Sequence, residues 1–296
     1  MKTKYQKSPK TYQEQLNLIK RRGLIIPYEE KALRYLSTIS YYRLSAYMIP
    51  FQFDKEKHLF KEGTTFEEIL RIYIFDRKLR LLLFDAIERI EIAVRTQIIY
   101  ELSHKYDSFW VWNKDLFKDR KKHNSFCLSQ KNEIKRSDQP FINHYYQKYD
   151  EENLPAWMAL ELVSIGQLSS LFSIINDNQI RKKISIFFGL QEKVFSSWLH
   201  TITTVRNICA HHSRLWNREF GVKPIKPKSH IKNWLTIDAD NNRVFYIISI
   251  LIYFMNIINP NSSFKARLKV LLKENSQIDL AAMGFPKNWN EDSLYK

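Results

Sequence analysis

The chain has 296 residues, 44% of them hydrophobic, enough to bury a core in one large domain or two small ones. Lys and Arg number 47 against 31 Asp and Glu, a formal charge of +16 that implies a polyanionic partner, nucleic acid ahead of a membrane surface. Cys127 and Cys209 are too few for a disulfide framework and lack metal-ligand spacing, which speaks against a secreted disulfide scaffold or a zinc module and fits a reducing cytoplasm.

Only six glycines and long Ile and Leu runs predict an all-α protein. Residues 1 to about 10 are polar and read as unstructured, and no apolar signal core follows the basic start. Thr11 to Gly23 reads as a short helix ending in Lys20, Arg21 and Arg22, with Gly23 as its C-cap. Pro27 to Ser40 reads as a second helix, with Leu33, Leu36 and Ile39 on one stripe. Tyr41, Tyr42, Arg43 and Tyr47 then form an aromatic and basic cluster that can stack on unpaired bases or pack against the helical body. The polar stretch Asp54 to Gly63 bounds an N-terminal helical, RNA-contacting region, residues 1–62.

The main helical domain is expected over 63–265. Thr65-Phe66-Glu67-Glu68 is a capping box, and about 40 residues follow without glycine or proline, as one helix or two. Ile72, Phe75, Leu79, Leu82, Leu83, Ala86, Ile87, Ile90, Ala93, Val94 and Ile98 recur at helical spacing as a wall of the core. Glu88, Glu91 and Arg95 make a polar line beside that stripe. Glu91 and Arg95 read first as an intrahelical ion pair, and the line could also orient a functional site. Lys118 to Arg136 carries seven Lys or Arg residues, including Arg120, Lys121 and Lys122, and reads as a phosphate-contacting loop or helix pair.

Pro155 is expected in the first turn of a helix that Gly166 breaks, with further helices over 167–175, 180–188 and 194–205. Beyond Arg218, prolines alternate with Lys223, Lys226 and Lys228, which keeps the loop extended and its lysines exposed. Val244 to Ile258 is apolar but shorter than the roughly 20 residues of a membrane span, so it reads as a buried core helix. A C-terminal helix and aromatic tail, with Trp289 and Tyr295, occupy 266–296.

Polar chemistry is densest at Val205 to Arg218. Histidine can accept and return a proton near neutral pH, and arginine offers a planar fork of donors to phosphate oxygens. Arg206 with His211 or His212 is therefore a minimal kit for cleaving an RNA phosphodiester without metal. The plainer reading makes them polar partners at a helix-to-loop transition, with Trp216 closing the core. Asn207 and His211 lie about 40° apart on a helix, which favours His211 over His212, whereas Arg206 and His211 lie about 140° apart. They share a site if the arginine curls, the helix is irregular, or a second chain contributes.

Arginine followed at once by Asn207 and, after four intervening residues, by His211 resembles the signature of the HEPN ribonuclease superfamily. The longer run Arg206 to Arg218 resembles the bacterial Abi-like abortive-infection proteins of the AbiD/AbiF kind. Arg22-Gly23-Leu24, Ile39 to Tyr47, Phe75 to Arg80 and Pro155 to Glu161 agree with it in order, so the resemblance spans nearly the whole chain. It implies a HEPN-like helical bundle with an N-terminal helical extension. In function it implies a growth-arresting toxin of antiviral, toxin-antitoxin character, under the control of a small noncoding RNA.

Two readings stay open from the sequence: a metal-independent endoribonuclease, or a non-catalytic module that holds a structured RNA. Arg206, Asn207, His211 and His212 are the expected catalytic group, with Glu88, Glu91 and Arg95 in support. Lys20, Arg21, Arg22, Tyr42, Arg43, Arg120, Lys121, Lys122, Arg214, Lys223, Lys226 and Lys228 are the expected RNA contacts. No cofactor, metal or membrane partner is expected, and two copies of the motif helix are expected to meet about a two-fold axis, completing each other's cleft.

Overall fold

The computed structural model describes residues 4, 6, 8–228 and 230–296, so residues 1–3, 5 and 7 of the expected unstructured start lie outside the described residues. Among them are twelve α-helices and a single two-stranded hairpin, the all-α class anticipated from composition. The chain divides into two compact units, residues 1–80 with 271–278, and residues 81–270 with 279–296.

In the first unit, α1 (Tyr12–Arg21) begins at the capping box of Thr11 and Glu14. It ends in a Schellman turn: Gly23 N–H donates to Lys20 O and Leu24 N–H to Ile19 O. Gly23 sits at φ +91°, a conformation that glycine adopts without steric cost. Helix α2 (Glu29–Ile39) packs against α1 and buries Ala32 and Leu36, and α3 (Tyr41–Met48) follows after Ser40. Strands β1 (Gln52–Asp54) and β2 (Leu59–Phe60) pair antiparallel with an irregular register. The polar composition of 54–63 gave no sign of this hairpin. Its turn is stabilised by Asp54, whose Oδ1 accepts from the N–H groups of Glu56 and Lys57.

Helix α4 (Phe66–Lys105) is continuous for 40 residues, about 60 Å. Thr65 and Glu68 cap it reciprocally, and its anticipated stripe is buried apart from the half-buried Ala93.

In the second unit, α5 (Arg120–Arg136) is one 17-residue helix, not the loop or helix pair the basic run suggested. Asp119 caps it, and Phe126, Gln130 and Ile134 turn inward. Helix α6 (Pro140–Lys148), unanticipated, starts on its own proline. Pro155 is the N-cap of the four-residue α7 (Ala156–Ala159), not a residue of its first turn. The break after it falls at Val163, not at Gly166, which is the second residue of α8 (Ile165–Ile174). There a Cβ would stand 3.1 Å from Thr203 Cγ2, so the missing side chain sets how closely α8 approaches the next long helix.

Helices α9 (Asn178–Phe187), α10 (Glu192–Ala210), α11 (Val244–Ile258) and α12 (Phe264–Glu274) complete the order. Residues 244–255 of α11 are buried on every side, as an interior helix requires. The tail docks on α11: the Tyr295 ring stacks on Phe245 at 5.3 Å, and its hydroxyl lies 2.8 Å from Ser249 Oγ. No helix among the described residues is long and apolar enough to cross a membrane.

Candidate functional site

Helix α10 carries the candidate site, and its inner face is committed to the core. Val194, Phe195, Trp198, Leu199, Ile202, Val205 and Ile208 are buried. Phe195 meets Phe172, Phe188 and Phe254, and Trp198 meets Trp234 and Tyr253. The opposite face is left to Arg206, half-buried, and Asn207, exposed.

The helix stops inside the motif. His211 is its C-cap and His212 follows at φ +55°. His212 N–H donates to Cys209 O and Ser213 N–H to Ile208 O, a Schellman turn with histidine where glycine is usual. Both histidines are exposed. Arg206 Nη1 donates to Asn207 Oδ1 at 3.3 Å, so its guanidinium leans toward the side on which His211 stands one turn further on. The helix is regular through Arg206, and no hydrogen bond joins Arg206 to His211 among the described residues.

The second half of the motif is structural. Leu215 and Trp216 are buried, as the helix-to-loop reading required. Arg214, expected to contact RNA, is half-buried and donates to the carbonyl oxygens of Trp216 and Asn217, while Arg218 donates to Arg214 O. Asn217, at φ +50°, also accepts from Arg243.

Of the supporting line, Glu88 is exposed, and Glu91 accepts from Arg95 at 2.9 Å, the expected intrahelical pair. Arg95 is buried and also donates to Val163 O, with Glu161 at 3.6 Å. Its partners outside α4 thus lie in the turn before α8, and none of the three bonds to Arg206 or His211 among the described residues.

The basic residues fall in separate places. Arg120 pairs with Asp115 at 3.1 Å and Lys122 with Asp119 at 3.7 Å, while Lys121 is exposed on the same helical turn. Lys223, Lys226 and Lys228 are exposed, as expected, although the loop itself is pinned. Ile225 N–H donates to Ser197 Oγ, and Trp198 Nε1 donates to Ile225 O. Lys226 pairs with Asp238 at 2.7 Å. In the first unit, Lys20 pairs with Glu29, Arg21 is exposed, and Arg22 Nη1 donates to Tyr41 Oη at 2.6 Å. Tyr42 is exposed, Arg43 is half-buried, and Tyr47 is buried, so the packing reading holds for Tyr47 and not for Tyr42.

Two features escaped the sequence reading. Tyr47 Oη donates to Asp76 Oδ2 at 2.6 Å, and Arg80 Nη1 donates to both, in a wholly buried network. Only the i to i+4 spacing of Asp76 and Arg80 was visible beforehand. The other is a cavity of about 780 Å³ in the first unit, lined by residues from four segments. Among the described residues no group of three or more His, Cys, Asp or Glu side chains is placed to hold a metal ion.

An all-α chain with a polar motif at the end of a core helix is the class that fold and site define. The model of the Abi-like protein family matches residues 34–217, more than half of the chain and the whole of α10. The chain belongs to the Abi-like protein family, and that membership points to phage defence by abortive infection. No curated protein and no solved structure matches it.

Proposed function

We propose that this Abi-like protein binds RNA and cleaves it as a HEPN-type endoribonuclease, arresting growth in phage defence under the control of a small noncoding RNA. The observation that carries the reading is the helix end itself: Arg206 leans onto Asn207, and His211 stands exposed one turn further on. His211 takes the proton of a ribose 2′-hydroxyl, and the freed oxygen attacks the adjacent phosphorus. Arg206 neutralises charge growing on the phosphate oxygens, and the 5′-oxygen leaves with a proton from solvent water, to which His211 returns its own. The products are a 2′,3′-cyclic phosphate and a 5′-hydroxyl. Arg120, Lys121, Lys122, Lys223, Lys226 and Lys228 supply phosphate contacts, whose strength falls with salt.

Arg206→Ala and His211→Ala are each expected to abolish RNA cleavage and growth arrest while keeping the wild-type circular dichroism. Wild-type cleavage should persist in EDTA and leave cyclic-phosphate ends. Equal cleavage by both variants, or a strict need for magnesium, overturns the mechanism. RNA that binds tightly and is never cut leaves a module that holds RNA.

A further inference from the structure

The cavity in the first unit has a composition that its size alone does not require. Arg22, Lys10 and His58 line it, and no carboxylate does among the described residues. The Arg22 guanidinium is held in place by its bond to Tyr41 Oη. Tyr42, another lining residue, is 87% exposed, an aromatic face left open to solvent. Gln15 and Gln52 belong to the same wall, and the side-chain oxygen of each is buried with no hydrogen-bond partner. Gln52 is only 8% exposed, and Gln15 is oriented by its Nε2, which donates to Lys10 O at 2.9 Å. Neither oxygen is reached from the cavity, so the two amides shape its wall and leave recognition to the charged and aromatic side chains.

These requirements converge on one chemistry. The Arg22 guanidinium and the Lys10 ammonium call for an anion, and the open tyrosine calls for a flat ring. We propose that this cavity receives one unstacked nucleotide of a single-stranded RNA, its base against Tyr42 and its phosphate at Arg22, with Lys10 and His58 beside it. The volume suits a mononucleotide. The inference rests on RNA being the ligand of this protein, but not on cleavage, since every residue it uses lies in the first unit and Arg206 and His211 lie in the second.

The test uses the full chain carrying His211→Ala, so that the probe stays intact, and a fluorescent single-stranded RNA of about ten nucleotides. Tyr42→Ala, at an exposed position that leaves the core untouched, is expected to weaken binding about tenfold, and Tyr42→Phe to restore it. Free nucleoside monophosphates should compete where inorganic phosphate does not, and a duplex of the same sequence should compete poorly because its bases are stacked. With 4-thiouridine in the probe, irradiation should cross-link it to the segment holding Tyr42. Unchanged affinity in Tyr42→Ala, or a duplex competing equally well, overturns the pocket while RNA binding stands. Failure of the parent protein to bind the probe at all overturns the RNA reading and the pocket with it.

Discussion

Tyr47, Asp76 and Arg80 show how much one buried polar cluster can demand of its neighbours. Burial, and then the adjacent Asp76 carboxylate, push the Tyr47 hydroxyl above its ordinary range, so it stays protonated and donates to that carboxylate. Asp76 is fully buried and Arg80 is 5% exposed, which leaves water little access to either charge if its partner is lost. Asp76→Ala is expected to destabilise the protein by about 3–5 kcal/mol, because it takes the neutralising carboxylate from a buried guanidinium. Replacing both charges with leucine should cost less than Asp76→Ala alone, since no buried charge is then left over. Urea unfolding of the two variants decides it, and a double variant as unstable as the single one would refute the account.

Helix ends are where this chain's elements are set, and α9 offers the clearest test. Its N-cap, Asp177, accepts from the backbone N–H groups of Gln179 and Ile180, from Tyr106 Oη and from the Lys105 ammonium. Burial alone would raise the Asp177 pKa, but the bonds from Lys105, Tyr106 and the two amides outweigh it and hold the carboxyl at about 2, below its ordinary 3.8. The folded pKa is depressed, so the contribution is complete above about pH 3.8 and is lost as pH falls through about 2. Asp177→Ala should cost about 1 kcal/mol at neutral pH. Its deficit against wild type should shrink across that acid window, as read from unfolding midpoints at successive pH values. A deficit that does not change with pH would assign the effect to packing instead.

For the molecule as a whole, the proposed cleavage requires one phosphate to meet both Arg206 and His211. On an ideal helix they point about 140° apart, and in the single chain Arg206 bonds to Asn207 and not to His211. A two-fold pair of motif helices would bring the arginine of one copy to the histidine of the other. Cleavage should then rise more steeply than enzyme concentration when dilute, and light scattering with and without RNA should show a dimer. A monomeric mass at every concentration, with rate strictly proportional to enzyme, would leave the curled arginine as the working geometry.

Helix periodicity and caps act over three or four residues, so they could be read directly. The bounds of Val244–Ile258, the capping box at Thr65 and Glu68, and Gly23 as a helix stop all stood in the amino-acid order. So did the residue types of the motif. A helix-to-loop transition within the motif was one reading of the sequence, but its exact place was not legible, because His212 takes the left-handed position that glycine would have announced. Nor could spacing show that Arg214 turns to loop carbonyls, or that Tyr47 and Asp76 meet across 29 residues. The cavity of Lys10, Arg22, Tyr42, Gln52 and His58 belongs to the same class. Burial and concavity depend on chain segments meeting at distances that no local pattern encodes, and only the tertiary structure decides which polar groups those meetings leave without a partner.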